Sequence, residues 1–115
     1  MVIIKQNVTN TIVLPLNDYF TNEQMRNLQA IEVTIGEQNK SEQVRKLFYV
    51  TDKNKSNINF IRHNNSLEFT LNAVESSYWK YQVPAQIRIK NRDNVIASSD
   101  IFYCYIEPSL SAEEF

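Results

Sequence analysis

Hydrophobic and polar positions alternate with a period of two along most of the chain. Val2 and Ile4 alternate with Ile3 and Lys5, Ile12, Leu14 and Leu16 with Thr11, Val13 and Pro15, and Ile31, Val33 and Ile35 with Glu32 and Thr34. The pattern resumes at Leu67, Phe69 and Leu71 against Glu68 and Thr70, and at Ile87 and Ile89 against Gln86, Arg88 and Lys90. It ends with Ile101, Tyr103 and Tyr105 against Phe102, Cys104 and Ile106. Successive side chains of a strand point to opposite faces, so each segment predicts a strand with one buried face. Leu47 to Thr51 and Ile58 to Ile61 are weaker strand candidates, parted by the polar turn from Asp52 to Asn57. Seven or eight short strands with turn signals between them predict an all-β, antiparallel β-sandwich.

Helical signals are few. Thr21 with Gln24 three residues later matches a capping box, and Met25 and Leu28 add one apolar stripe, which predicts a short helix over Asn22 to Leu28. Asn72 with Glu75 is a weaker copy ahead of Tyr78. One or two short helical turns do not cover a sheet, so the sandwich is preferred to an α+β layer. Residues 1–108 form the expected β-sandwich domain, and 109–115 a flexible tail or the start of a linker.

Composition narrows the function. In 115 residues, 43% are hydrophobic, and 12 Lys+Arg nearly cancel 13 Asp+Glu, which argues against disorder and against a coat for nucleic acid. With one Gly, Gly36, there is no Gly-rich phosphate cradle, and Asn is left to supply the turns. A single Cys forms no intrachain disulfide, in keeping with assembly in a reducing cytoplasm. The start MVIIKQN predicts no secretory signal, and no apolar run approaches the ~20 residues of a membrane span.

The chemical inventory is thin. His63 is the only histidine and lies among Arg62, Asn64 and Asn65, which makes it a loop histidine or else a pH-sensitive or interface residue. Cys104, flanked by Tyr103 and Tyr105, reads as a buried inert thiol on the core side with Phe102 and Ile106, the alternative being a nucleophile. Glu113 and Glu114 are adjacent and point apart, while Asp93 and Asp100 flank a hairpin, so no two carboxylates converge as acid and base. Arg88, Lys90 and Arg92 share a strand face, which is either solvated or a phosphate-binding stripe. No catalytic, cofactor or metal site is expected. Tyr78, Trp79, Tyr81, Tyr103 and Tyr105 are the candidate interface residues, because Tyr and Trp bury much area with a polar handle. They read as core plus a tyrosine corner, as a protein contact surface, or as a sugar-stacking platform.

The order of segments adds a resemblance. The start MVIIKQNVTNTIVLPLND, the strand IEVTIGEQNK, the segment LEFTLNAVESSYWKYQ and the closing AQIRIKNRDNVIASSDIFYCYIEPSL together resemble the small immunoglobulin-like domain of tailed phages of Gram-positive bacteria, above all the N-terminal domain of the baseplate upper protein. The likeness is specific over the last third, through Gln86 to Ile89, Asp93-Asn94, Ser98-Ser99 and Ile101 to Ile106. The chain departs from it at Lys80, where a Gly commonly precedes the Tyr, and at Asn17 and Asp18, where a Gly turn is common. The resemblance implies an immunoglobulin-like sandwich in a virion structural protein, a tail or baseplate component that assembles with itself and with other tail proteins in the host cytoplasm. It implies no cofactor, nucleic acid or membrane. The alternative is a carbohydrate-binding module using Trp79 and the tyrosines.

Overall fold

The computed structural model describes residues 1–61 and 64–111. Among the described residues nine strands form: β1 (Val2–Lys5), β2 (Asn10–Pro15), β3 (Leu28–Ile35), β4 (Val44–Tyr49), β5 (Asn59–Ile61), β6 (Ser66–Leu71), β7 (Gln82–Asn91), β8 (Ile96–Ser98) and β9 (Phe102–Glu107). One four-residue helix, α1 (Ala73–Ser76), joins β6 to β7. Strands make up 48% and helical turns 9%, so the fold is all-β and sandwich-like. One sheet has the order β1-β9-β7-β3-β4, with β8 paired to β7, and the other has the order β2-β6-β5.

Two expectations are corrected. The larger sheet is mixed instead of antiparallel, because β1 runs parallel to β9, with Val2 opposite Cys104 and Ile4 opposite Ile106. The ninth strand, β8, arises because the chain after β7 pairs with β7 twice. Ile96 to Ser98 lie against Arg88 to Lys90, and Phe102 to Tyr105 against Gln82 to Ala85. Ser99 makes the step between them. Its Oγ accepts from the Ile87 N–H at 3.0 Å and donates to the Asp100 carbonyl at 2.9 Å.

Period-two patterning sets the core. Ile4, Leu14, Ile31, Val33, Leu67, Leu71, Ile87 and Cys104 are all buried between the sheets. No water-sized cavity is left among Ile4, Leu14, Val33, Phe69 and Cys104, as close packing requires. Cys104 faces inward with Ile106, and Tyr103 and Tyr105 face outward, the register expected from the sequence.

The turns follow local chemistry. Asn7, Asn27, Asn39, Asn65 and Asn94 adopt positive φ, the role expected of Asn in a chain with one glycine. The Asn72–Glu75 capping box forms in full: Asn72 Oδ1 accepts from the Glu75 N–H at 2.8 Å and Glu75 Oε1 from the Asn72 N–H at 3.0 Å. The Thr21–Gln24 box also closes, yet the expected helix over Asn22 to Leu28 is absent and the segment is a series of turns. Asn27 at φ 55° stops helical propagation, and Leu28 is taken by β3, where its burial outweighs one more helical residue.

Parts of two sheet edges are covered within the chain. On β4, the Leu47 N–H donates to Asn57 Oδ1 at 2.6 Å and the Tyr49 N–H to Ser56 Oγ at 2.7 Å, so the 50–57 loop occupies that edge. On β1, the Asn10 amide accepts from the Lys5 N–H and donates to its carbonyl, both at 2.8 Å. Strand β9, uncharged up to Ile106, is not an edge strand, since β1 and β7 flank it. The aggregation hazard of an exposed IFYCYI strand is thereby removed. After β9, the Asn7 side chain donates to the Ser111 carbonyl at 3.2 Å, and the rest of the expected tail, with Glu113 and Glu114, lies outside the described residues.

Candidate functional site

The outer face of the larger sheet carries the molecule's unusual chemistry, in two adjoining regions. The first is aromatic. On β9, Tyr103 and Tyr105 point outward and are about half exposed. Ile3 of β1 stands beside Tyr105 and is equally exposed, while Gln82 and Pro84 of β7 lie opposite Tyr105 and Tyr103. Residues opposite one another share a face, so these side chains form one patch across three strands.

Tyr81 sits at the entrance to β7 and is 85% exposed. Its backbone is in the left-handed region, φ 66°, and the Gln82 N–H donates to the Lys80 carbonyl at 2.8 Å, closing a three-residue turn around it. Bulky residues in that region cost on the order of 1–3 kcal/mol, and such strain concentrates at functional sites. The turn is held by the Ile106 N–H, which donates to the Tyr81 carbonyl at 2.9 Å.

Tyr78 and Trp79 behave differently from this patch. Tyr78 is exposed and meets Trp79 edge-on, ring centroids 5.9 Å apart. Trp79, expected among the interface residues, is instead a core side chain, 7% exposed. Its indole N–H donates to the Glu42 carbonyl at 3.2 Å, and its own carbonyl accepts from the Gln6 side chain at 3.1 Å. A buried indole with its N–H satisfied closes the end of the sandwich and offers no ring to a sugar.

The second region is charged. Glu32 of β3, Arg88 of β7 and Arg45 of β4 meet on the same outer face. Arg88 donates from Nε to Glu32 Oε1 at 2.7 Å and from Nη2 to Oε2 at 3.1 Å, and Arg45 donates from Nε to Oε2. Glu32 is buried while both arginines stay half exposed. The Arg88 hydrogen bonds hold the Glu32 carboxyl below the usual carboxylate range against the opposing effect of burial, with Arg45 adding to the lowering. The sequence groups Arg88 with Lys90 and Arg92 as a basic strand face, whereas the structure pairs it with Glu32. Glu32 and Arg45 were not singled out, because only the pairing register reveals that three positions far apart in sequence adjoin.

Troughs lie on either side of this cluster. One, of about 180 Å³, is bounded by Leu47, Tyr49, Lys90 and Ile96. The other, of about 460 Å³, runs along Thr34, Gln38, Gln43, Gln86 and Ile101. Glu32, Arg45 and Arg88 border both.

Nucleophile chemistry finds no support at Cys104. Burial pushes its thiol up from the ordinary 9.0 to about 11. The native thiol is therefore expected to label slowly with a disulfide reagent at pH 8 and to react fully in denaturant. A raised folded value also fixes the sign of the pH effect: this contribution to stability is intact below pH 9 and is lost as pH rises toward 11. Fast labelling of the folded protein would show that the thiol is accessible. Among the described residues no three His, Cys, Asp or Glu side chains cluster as metal ligands, and His63 lies outside them.

The chain matches no known protein family and no curated protein.

Proposed function

We propose that the chain is a non-enzymatic structural protein, an immunoglobulin-like module that assembles with copies of itself and with other proteins of a phage tail or baseplate in the virion. The observation that carries the assembly reading is the exposed patch of Ile3, Tyr105 and Tyr103 on β1 and β9, beside Gln82 and Pro84 of β7. Tyrosines on a rigid sheet bring large contact area at small entropic cost, which is the composition of protein contact surfaces.

The strand order supports the immunoglobulin-like part. In that fold one sheet carries strands G, F and C, extended by C′ in variable domains, and the other carries B, E and D. The orders β9-β7-β3-β4 and β2-β6-β5 are compatible with that arrangement. β1 stands apart from the constant-domain arrangement by joining the G strand, and no disulfide links the sheets. With β9 flanked on both sides, assembly proceeds through a sheet face and not through the closing strand as an edge. The phage and baseplate context rests on the sequence resemblance alone.

Two variants test the reading by analytical ultracentrifugation. Tyr105→Asp is expected to weaken self-association by about 2 kcal/mol, roughly 30-fold, with the circular dichroism spectrum unchanged. Tyr81→Gly is expected to stabilise the fold by about 1 kcal/mol through relief of the turn, and yet to weaken self-association. A wild type that stays monomeric at millimolar concentration, or variants that associate as the wild type does, would overturn the self-assembly reading. The sugar-binding alternative would gain weight only if oligosaccharides perturb Tyr103 and Tyr105.

A further inference from the structure

We infer that the trough beside Glu32 is a carboxylate-binding site that takes an acidic, extended peptide segment of a partner protein, seating an Asp or Glu side chain between Arg45 and Arg88. This site adjoins the tyrosine patch at Pro84, but its charge chemistry is separate and its test does not depend on self-assembly.

Charge is the first observation. Two guanidiniums against one carboxylate leave one positive charge, and among the described residues Glu32 is the only carboxylate bordering the trough of about 460 Å³. The two guanidiniums carry about ten N–H donors. Glu32 takes three of them, through Arg45 Nε, Arg88 Nε and Arg88 Nη2. The whole terminal edge of Arg45, the pair of nitrogens that grips a carboxylate in bidentate fashion, is left without a protein partner. Glu32 also orients the site, because anchoring both Nε atoms fixes the planes of the forks and reduces the entropy lost when a ligand arrives.

The lining gives the second observation. Gln38, Gln43 and Thr34 supply amides and a hydroxyl of the kind that pairs with a peptide backbone, and Ile101 supplies an exposed apolar wall. Among the described residues no aromatic ring borders this trough, so a pyranose finds no face to stack on there. Guanidinium forks, amides and one aliphatic wall match an acidic peptide better than a glycan.

The test uses the full chain, labelled with nitrogen-15, and two probes: a hexaglutamate peptide and trigalacturonate. Hexaglutamate is expected to shift the Nε–H signals of Arg45 and Arg88 saturably, and the affinity is expected to fall as salt is raised. Arg45→Gln is expected to weaken binding at least tenfold, while Arg88 keeps its two bonds to Glu32 and holds the face together. Thr34→Glu is the second variant, needed in case the first disturbs the sheet. Thr34 lies directly opposite Arg45, so a carboxylate there engages the open fork and competes with the probe. Absence of a saturable shift, unchanged affinity in both variants, or binding of trigalacturonate without hexaglutamate would each overturn the proposal.

Discussion

Replacing Trp79 with Ala is expected to lower the unfolding free energy by about 3–5 kcal/mol, the usual cost of truncating a buried indole. A domain of this size has on the order of 5–15 kcal/mol in all, so the variant stands near the limit of folding. Two losses add. The indole leaves a cavity at the end of the sandwich, and the Glu42 carbonyl loses the N–H that reaches it at 3.2 Å. Trp79→Phe separates them, since it keeps most of the volume and removes only the donor, at about 1–2 kcal/mol. Urea titration followed by circular dichroism measures both. If Trp79→Ala cost less than about 1 kcal/mol, the indole would belong to the surface, and the stacking-platform reading would regain its principal residue.

Gly36→Ala is expected to cost about 2–3 kcal/mol, for steric reasons that are independent of hydrophobic burial. Gly36 has φ +114°, a conformation that L residues rarely adopt. A Cβ there would lie 2.9 Å from the Gln43 Cα and 3.2 Å from the Glu42 carbonyl oxygen, and both are backbone atoms that cannot rotate away. The Gly36 N–H also donates to the Pro84 carbonyl at 2.9 Å, which ties the end of β3 to β7. Thermal unfolding with the same calorimetric protocol for both proteins measures the effect.

The two substitutions are not independent. Glu42 is at once the backbone that a Cβ at position 36 would displace and the acceptor for the Trp79 N–H. The double variant is therefore expected to be less destabilised than the sum of the single ones, by about 0.5 kcal/mol or more. Additivity would mean that the 37–43 connection moves without disturbing the indole.

Consequences reach the outer face as well. Gln43, whose backbone Gly36 accommodates, borders the trough at Arg45 and Arg88. The chain's only glycine thus shapes a surface site as well as a turn.

The all-β class, the turn chemistry and the sidedness of the strands are legible from local patterning alone. Alternation is a local property: whichever strands pair, Ile31, Val33 and Ile35 share one face, and Cys104 lies opposite Tyr103 and Tyr105. Asn at positive φ is equally local, as is the Asn72–Glu75 cap, because the partners lie within three residues. Tertiary structure decided the rest. No local signal sets β1 parallel to β9 and turns the terminal strand into an interior one, since that pairing joins residues about a hundred apart. The Thr21 capping box closes and still starts no helix, because Leu28 is worth more in the core of β3. Trp79 and Tyr81 are near neighbours with similar sequence surroundings, yet one is buried and the other almost fully exposed. The difference comes from the Glu42 carbonyl, supplied by a distant loop, and from a strained turn that aims Tyr81 outward. Glu32, Arg45 and Arg88 became one cluster only through the register of three strands, and register is a property of the assembled sheet.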